Sequence, residues 1–237
     1  VVPDHPCADP LTGGAHACGH NCQIASVVGA AIAIKEANLM EDLFGDIALM
    51  AVPSEEFVEL EFRNKLREEG KISFLGGKQE FVKLGVMDDV DVMVMQHTDA
   101  FGDGQIQANA GSPANGFVGK LVNYIGKEAH AGGAPHMGIN ALNAAELGMM
   151  AIHANRETFR DEDHIRVHPI ITKGGDLVNI VPSDVRIETY VRGSRTEAIL
   201  DASMKVNRAL EAGAYAVGAQ CKITELPGYL PVLPYPP

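Results

Sequence analysis

A chain of 237 residues with 46% hydrophobic and 21% charged residues has the composition of an ordinary globular protein, with room for one large or two modest domains. Its net charge of −12 argues against nucleic acid and anionic membrane surfaces as partners, no apolar run reaches the length of a membrane span, and no signal-peptide pattern opens it. Four cysteines, at positions 7, 18, 22 and 221, do not suggest a disulfide framework in a chain this long, so a reduced, cytoplasmic setting is expected. Cys22 and Cys221 read as buried small hydrophobes, and Cys7, in a Pro-rich loop, is left without a role.

Val1 to Pro6 read as the middle of a loop. His16-Ala17-Cys18-Gly19-His20-Asn21 then packs two imidazoles and a thiol into five residues, and Gly19 allows a turn tight enough for Cys18 and His20 to face one point. Residues 21–38 carry Ile24, Val27, Val28, Ala31, Ile32 and Ile34, which predicts a largely apolar helix. Asp46 to Pro53 and Val90 to Met95 are near-continuous apolar runs, the pattern of parallel strands buried on both faces. Ser54-Glu55-Glu56 follows the first run and Gln96-His97 the second. Between them, residues 57–75 read as a charged, exposed excursion and Lys78 to Leu84 as a short helix. Strand, helix and strand in this order predict an α/β layer, whose ligands collect outside the carboxyl ends of the strands. Glu55, Glu56 and His97 stand at those ends.

The character changes after the small, polar stretch 108–113. Gly116 to Gly126 alternates like a strand, 140–155 is helical, and 164–172 and 183–192 alternate as two strands around Gly174-Gly175. Residues 196–217 form a second helix and 221–226 a last strand. This β-α-β-β-α-β order is that of a ferredoxin-like α+β domain. The reading divides the chain into 1–112, 113–228 and a Pro-rich segment 229–237, without internal repeats.

Cys18, His20, Glu56 and His97 supply S, N, O and N donors, a set suited to zinc, manganese, nickel or cobalt. Of the paired carboxylates, one can hold the ion while its neighbour moves the proton of an activated water, which is the chemistry of metal-assisted amide hydrolysis. Each feature has a plainer reading. A Glu-Glu pair is common in solvated loops, His97 could cap its strand, and Cys18 with His20 could be a structural zinc site or a packed thiol. In the second half, His130 lies among small residues, where an imidazole could steady a developing oxyanion or simply occupy a Gly-rich turn. Asn179 and Arg192 flank the central hairpin; Arg192 suits a bidentate grip on a carboxylate, and both also suit a surface. His153, His164 and His168 have no ligand-like spacing.

The chain resembles the metal-dependent amidohydrolase and metallopeptidase superfamily of aminoacylases and carboxypeptidase G, in the Cys-containing branch of hippurate, auxin-conjugate and aminobenzoyl-glutamate hydrolases. The resemblance rests on His16 to Asn21, Pro53-Ser54-Glu55-Glu56, Gln96-His97, Ala129-His130-Ala131 with Gly138 to Leu142, and Asn179-Ile180-Val181-Pro182, in family order over nearly the whole chain. Gly76-Gly77-Lys78-Gln79-Glu80 resembles the aminobenzoyl-glutamate subgroup. The resemblance implies a catalytic domain with a parallel-type sheet and a lid that mediates homodimerisation. It implies Cys18, His20, Glu56 and His97 as ligands of one or two divalent ions, with His16 outside the set and Asn21 where many relatives carry Asp. It further implies Glu55 as general base and acid, His130 at the scissile carbonyl (often in the partner subunit's site), and Asn179 and Arg192 as substrate contacts. The implied substrates are N-acyl amino acids, aminobenzoyl-glutamate-like conjugates or small peptides. Relatives carry an Asp in a segment ahead of the position of Val1 and a final ligand His beyond the position of Pro237. The chain thus resembles an internal portion of such an enzyme, and the alternative is a non-catalytic dimerisation module with a residual metal site.

Overall fold

The computed structural model describes residues 6, 8–10, 15, 18–98, 104 and 113–233. Cys7, His16, the linker-like residues 108–112 and the last residues of the Pro-rich segment lie outside them. The chain divides into two compact units, Val1–Pro53 with Gly85–Gln107, and Ser54–Leu84 with Ala108–Pro237.

In the first unit, α1 (His20–Glu36) starts from Gly19 in the left-handed conformation and ends at Ala37, whose N–H bonds back to the Ala33 carbonyl. It begins one residue before the expected 21 and stops two before 38. None of its residues is buried, and Ile24, Val28 and Ile32 are exposed. The two apolar runs depart from expectation in the same way. Residues 46–52 and 92–98 form no ladder among the described residues, and Val92 and Val94 are 79% and 90% exposed. The physical reason is edge satisfaction: an extended run is buried on both faces only where strands hydrogen-bond along both of its edges. Every ladder among the described residues is antiparallel and lies in the second unit.

That second unit opens with α2 (Leu60–Glu68) and α3 (Gly77–Lys83). Its sheet consists of β1 (Gly116–Ile125), β2 (Arg166–Val167), β3 (Ile170–Lys173), β4 (Asp184–Gly193) and β5 (Gln220–Pro227). The order is β2-β4-β1-β5, with β3 also on β4. Helices α4 (Ala141–Asn155) and α5 (Thr196–Val217) complete the β-α-β-β-α-β order read from the sequence, and the expected ferredoxin-like topology is present. The single strand expected over 164–172 is two short pieces, because Pro169 between them has no N–H to give to β4 and restricts His168.

Alternation sorts the sheet's two faces. Val122, Tyr124, Val185, Ile187 and Val191 point to α4 and α5, where they meet Ala144, Ala145, Ile152, Ala202, Val206 and Leu210. The helices approach closely at Gly213, where a Cβ would strike the backbone of Ala144 and Gly148. Asn140 caps α4, its Oδ1 accepting from the N–H groups of Leu142 and Asn143 at 2.9 and 3.1 Å. Lys120, fully buried on this face, places Nζ 2.6 Å from Glu225 Oε1 and 2.7 Å from Ser203 Oγ. Burial pushes its pKa down, and the bonds to Glu225 oppose that shift.

The opposite face carries the main departure from the sequence reading. Residues 57–75 are not an exposed excursion: Phe57, Leu60, Arg63, Asn64 and Leu75 are buried. Phe57, Leu60 and Leu75 pack with Phe117 and Leu226, flanked by Leu121, Tyr190 and Tyr229. Phe57 meets Phe117 edge-on at 5.0 Å between centroids, and Tyr229 meets Phe117 at 5.4 Å. Charge dominates the composition of this segment, yet a few apolar residues and one arginine turn inward because the sheet face offers them an aromatic surface.

Cys22 and Cys221 also correct expectation. Cys22 is exposed, and Cys221 is half-buried against the α4–α5 core. Burial pushes the Cys221 thiol up to about 11, so its thiolate is scarce below that pH and grows only as pH approaches 11. Alkylation at pH 8.5 should mark Cys221 about 100-fold more slowly than a model-peptide cysteine, from the thiolate fractions alone; peptide mapping of iodoacetamide adducts measures it. Arg63→Ala should destabilise the second unit by about 2–4 kcal/mol, because it strips the donor shared by the part-buried carbonyls of Ser54 and Glu56 and the buried one of Leu75. That corresponds to roughly 5–15 °C in Tm by calorimetry; an unchanged Tm would show that those carbonyls find other donors.

Candidate metal centre and associated residues

In the first unit the chain brings three of the expected ligands together. Cys18 Sγ lies 3.5 Å from His97 Nε2, although the residues are 79 positions apart. One ligand atom each of Cys18 and His20 lie within 4.8 Å of one another. The turn between them depends on Gly19, whose φ is +82°, and a Cβ there would collide with the Thr98 side chain. Thr98 is a residue that sequence reasoning did not single out, and it serves the site twice. Its Oγ1 donates to the Cys18 carbonyl at 2.8 Å, and its own carbonyl accepts from His97 Nδ1 at 2.6 Å. With Nδ1 carrying the proton, Nε2 is the lone-pair nitrogen turned toward Cys18. Gln96 fastens the same segment to α1, Nε2 donating to Ser26 Oγ at 2.9 Å.

The donor set fits a divalent ion. With metal–sulfur and metal–nitrogen distances of about 2.3 and 2.0 Å, a tetrahedral site has an S···N edge of about 3.5 Å, which matches the separation of Cys18 Sγ and His97 Nε2. Removal of the shared proton converts a thiol–imidazole contact into two ligands, and the Thr98 carbonyl already sets the imidazole tautomer.

Glu55 and Glu56 stand at the start of the second unit, both half-buried. Their backbone is held by the side chain of Arg63, nearby in the chain, and by two tyrosines far along it. Arg63 Nη1 donates to the carbonyls of Glu56 at 2.6 Å, Leu75 at 3.0 Å and Ser54 at 3.4 Å. Tyr229 Oη donates to the Glu55 carbonyl at 2.9 Å and Tyr190 Oη to that of Phe57 at 2.5 Å. Lys78 Nζ lies 2.9 Å from Glu55 Oε1. Of these donors only Lys78 falls in a motif visible in the sequence.

His130 and Asn179 lie at one end of the sheet of this unit. The segments on either side of β1 and β4 pair there, Ala131 N–H bonding to the Asn179 carbonyl and Val181 N–H to the Ala129 carbonyl, both at 2.9 Å. His130 Nδ1 accepts from the N–H groups of Gly132 and Gly133 at 3.2 and 2.9 Å. With Nδ1 accepting, Nε2–H of the exposed ring is the outward donor, the tautomer needed to polarise a carbonyl oxygen. Arg192 is not brought to them. It stands near the far end of β4, eight residues beyond Asp184, or about 27 Å at strand rise. Its guanidinium lies over the rings of Phe117 and Tyr190, 5.2 and 5.4 Å from their centroids. Gly19→Ala should disturb the Cys18–His20 turn most directly, since a left-handed non-Gly residue costs about 1–2 kcal/mol before the collision with Thr98 is counted. We expect at least a tenfold loss of zinc affinity by competition titration with a chromophoric chelator; unchanged affinity would remove Gly19 from the site.

Residues 115–217 match the peptidase dimerisation domain. The mouse Xaa-Arg dipeptidase is 29% identical over 232 residues, covering 95% of this chain and 47% of that protein. A p-aminobenzoyl-glutamate hydrolase homolog of Haemophilus influenzae is 30% identical over 182 residues, covering 75% of this chain and 37% of that protein. The chain therefore spans about half the length, or less, of these relatives. A Staphylococcus aureus crystal structure described as an aminohydrolase superposes with a TM-score of 0.64 at 21% identity, covering 93% of this chain and 54% of that one, which shows a shared fold. With the sheet topology and the ordered ligand motifs, these matches place the chain in the metallo-amidohydrolase superfamily of aminobenzoyl-glutamate hydrolases and carboxypeptidase G, with residues 115–217 as its peptidase dimerisation domain.

Proposed function

We propose that this chain belongs to a metal-dependent amidohydrolase that cleaves the amide bond of N-acyl amino acids, aminobenzoyl-glutamate-like conjugates or small peptides. The observation that carries the reading is the convergence of Cys18, His20 and His97, with the His97 tautomer set by Thr98. Relatives named for aminobenzoyl-glutamate and N-acyl amino acid hydrolysis support the substrate class. Cys18, His20 and His97 would hold the divalent ion, with Glu56 as a further ligand carried over from the family motif. When bound, the ion supplies Lewis acidity that polarises a carbonyl and acidifies water. Glu55 takes the proton from the attacking water and delivers it to the leaving amine. His130 Nε2–H donates to the oxygen on which charge develops, and Asn179 and Arg192 bind the substrate's polar groups. Residues 115–217 are proposed to form a homodimer, through which His130 and Arg192 could serve different active sites. The parallel-type sheet of the catalytic half belongs to the same proposal, with residues 46–53 and 90–95 as its strands.

The test uses the full-length protein and a panel of aminobenzoyl-glutamate, N-acyl amino acids and dipeptides. Glu55→Gln should lower kcat by about 10²–10⁴-fold with metal content retained, whereas Cys18→Ser should lower metal content itself. Turnover and metal content unaffected by both changes would sink the assignment. A dimer in sedimentation that binds no metal and hydrolyses nothing would leave the non-catalytic module instead.

A further inference from the structure

Glu55 is held from two sides by groups outside the ligand motifs. On the side-chain side, Lys78 Nζ lies 2.9 Å from Oε1, and the two side chains are 40% and 29% exposed. On the backbone side, Tyr229 Oη donates to the Glu55 carbonyl at 2.9 Å. The two holders also touch each other, with Lys78 Nζ 5.9 Å from the centroid of the Tyr229 ring. They are tied together once more by Gln79, whose Nε2 donates to the Gly228 carbonyl at 2.6 Å, so that the first turn of α3 is fastened to the residue before Tyr229. The ring of Tyr229 is packed edge-on against Phe57 and Phe117, which leaves its hydroxyl little freedom to leave the Glu55 carbonyl.

We infer that Lys78 and Tyr229 are positioning residues for Glu55, an inference that rests on the reading of Glu55 as the general base and acid. A glutamate has three rotatable side-chain bonds, and a proton carrier must sit within hydrogen-bond reach of both the water and the leaving amine. Lys78 engages one carboxylate oxygen and so orients the plane of the group. Tyr229 fixes the peptide from which the side chain extends. A displacement of about 1 Å in such a group is enough to cost on the order of 100-fold in rate. The ion pair itself is too open to water to contribute much to stability, so positioning and folding can be separated by experiment.

The experiment is steady-state kinetics of the full-length, zinc-loaded protein on the best substrate of the panel above, with metal content and thermal melting recorded for every variant. Lys78→Met should lower kcat by about 10–100-fold with KM, metal content and Tm near those of the unaltered protein. Lys78→Arg should recover most of the loss, and Tyr229→Phe should show a smaller fall in kcat alone. In a Glu55→Gln background, Lys78→Met should have no further effect. If Glu55→Gln is inactive while Lys78→Met and Tyr229→Phe keep the original kcat, or lose activity only together with metal and Tm, the positioning role is overturned and the general-base reading stands. If Glu55→Gln is fully active, or the unaltered protein hydrolyses nothing in the panel, the underlying reading falls and the inference with it.

Discussion

The buried guanidinium of Arg63 organises the stretch on which the proposed carboxylates stand. Four successive carbonyls, from Ser54 to Phe57, lie outside the ladders of the second unit's sheet, and each is met by a side chain instead: Arg63 takes those of Ser54 and Glu56, Tyr229 that of Glu55, and Tyr190 that of Phe57. Arg63 also closes the far end of the segment through the Leu75 carbonyl. All three bonds leave Nη1, whose two hydrogens serve the three carbonyls, and a guanidinium suits this place better than an ammonium because it is weakly hydrated when buried. The aromatic face formed by Phe57, Phe117, Tyr190 and Tyr229 excludes the water that would otherwise compete for these bonds. Without the arginine the apolar contacts would close over carbonyls that have no partner, and burial would work against itself.

The cluster of Cys18, His20 and His97 in the first unit is held by a different and more local device. Gly19 lets the chain turn between Cys18 and His20, and the space left by its missing side chain is filled by Thr98. That one threonine then anchors the Cys18 carbonyl and sets the tautomer of His97, so backbone geometry and donor chemistry depend on the same contact. Arg63 fixes a segment by satisfying its backbone; Thr98 fixes an imidazole by holding its Nδ1.

Much of the second unit was legible in sequence. The helix over 196–217 and the strand starting at 116 are as expected, because a long amphipathic period and a run of alternating residues with a covered face are strong local signals. The short α3 was equally local. The excursion over 57–75 misled because its charge dominates its composition, while the burial of Phe57 and Leu60 depends on a sheet face formed some 60 to 170 residues later. The two apolar runs have no ladder among the described residues, since period and composition describe what a strand could bury and say nothing about whether neighbours line its edges. Cys22, adjacent to the ligand turn, was misread because a thiol carries no signal of which way its helix faces.

By itself the sequence determined the donor inventory: a thiol and two imidazoles at family spacing, two adjacent carboxylates, a histidine among glycines, and the β-α-β-β-α-β order that carries it. These follow from residue chemistry and short-range periodicity, which are written along the chain. Only the tertiary structure decided which donors meet, that Thr98 selects the nitrogen His97 presents, that Lys78 and Tyr229 converge on Glu55, and that Arg192 stands a strand length away from Asn179. Apart from the bond between the neighbours His97 and Thr98, those outcomes rest on residues from 23 to 174 positions apart, which meet only when burial and backbone hydrogen bonding bring distant segments together.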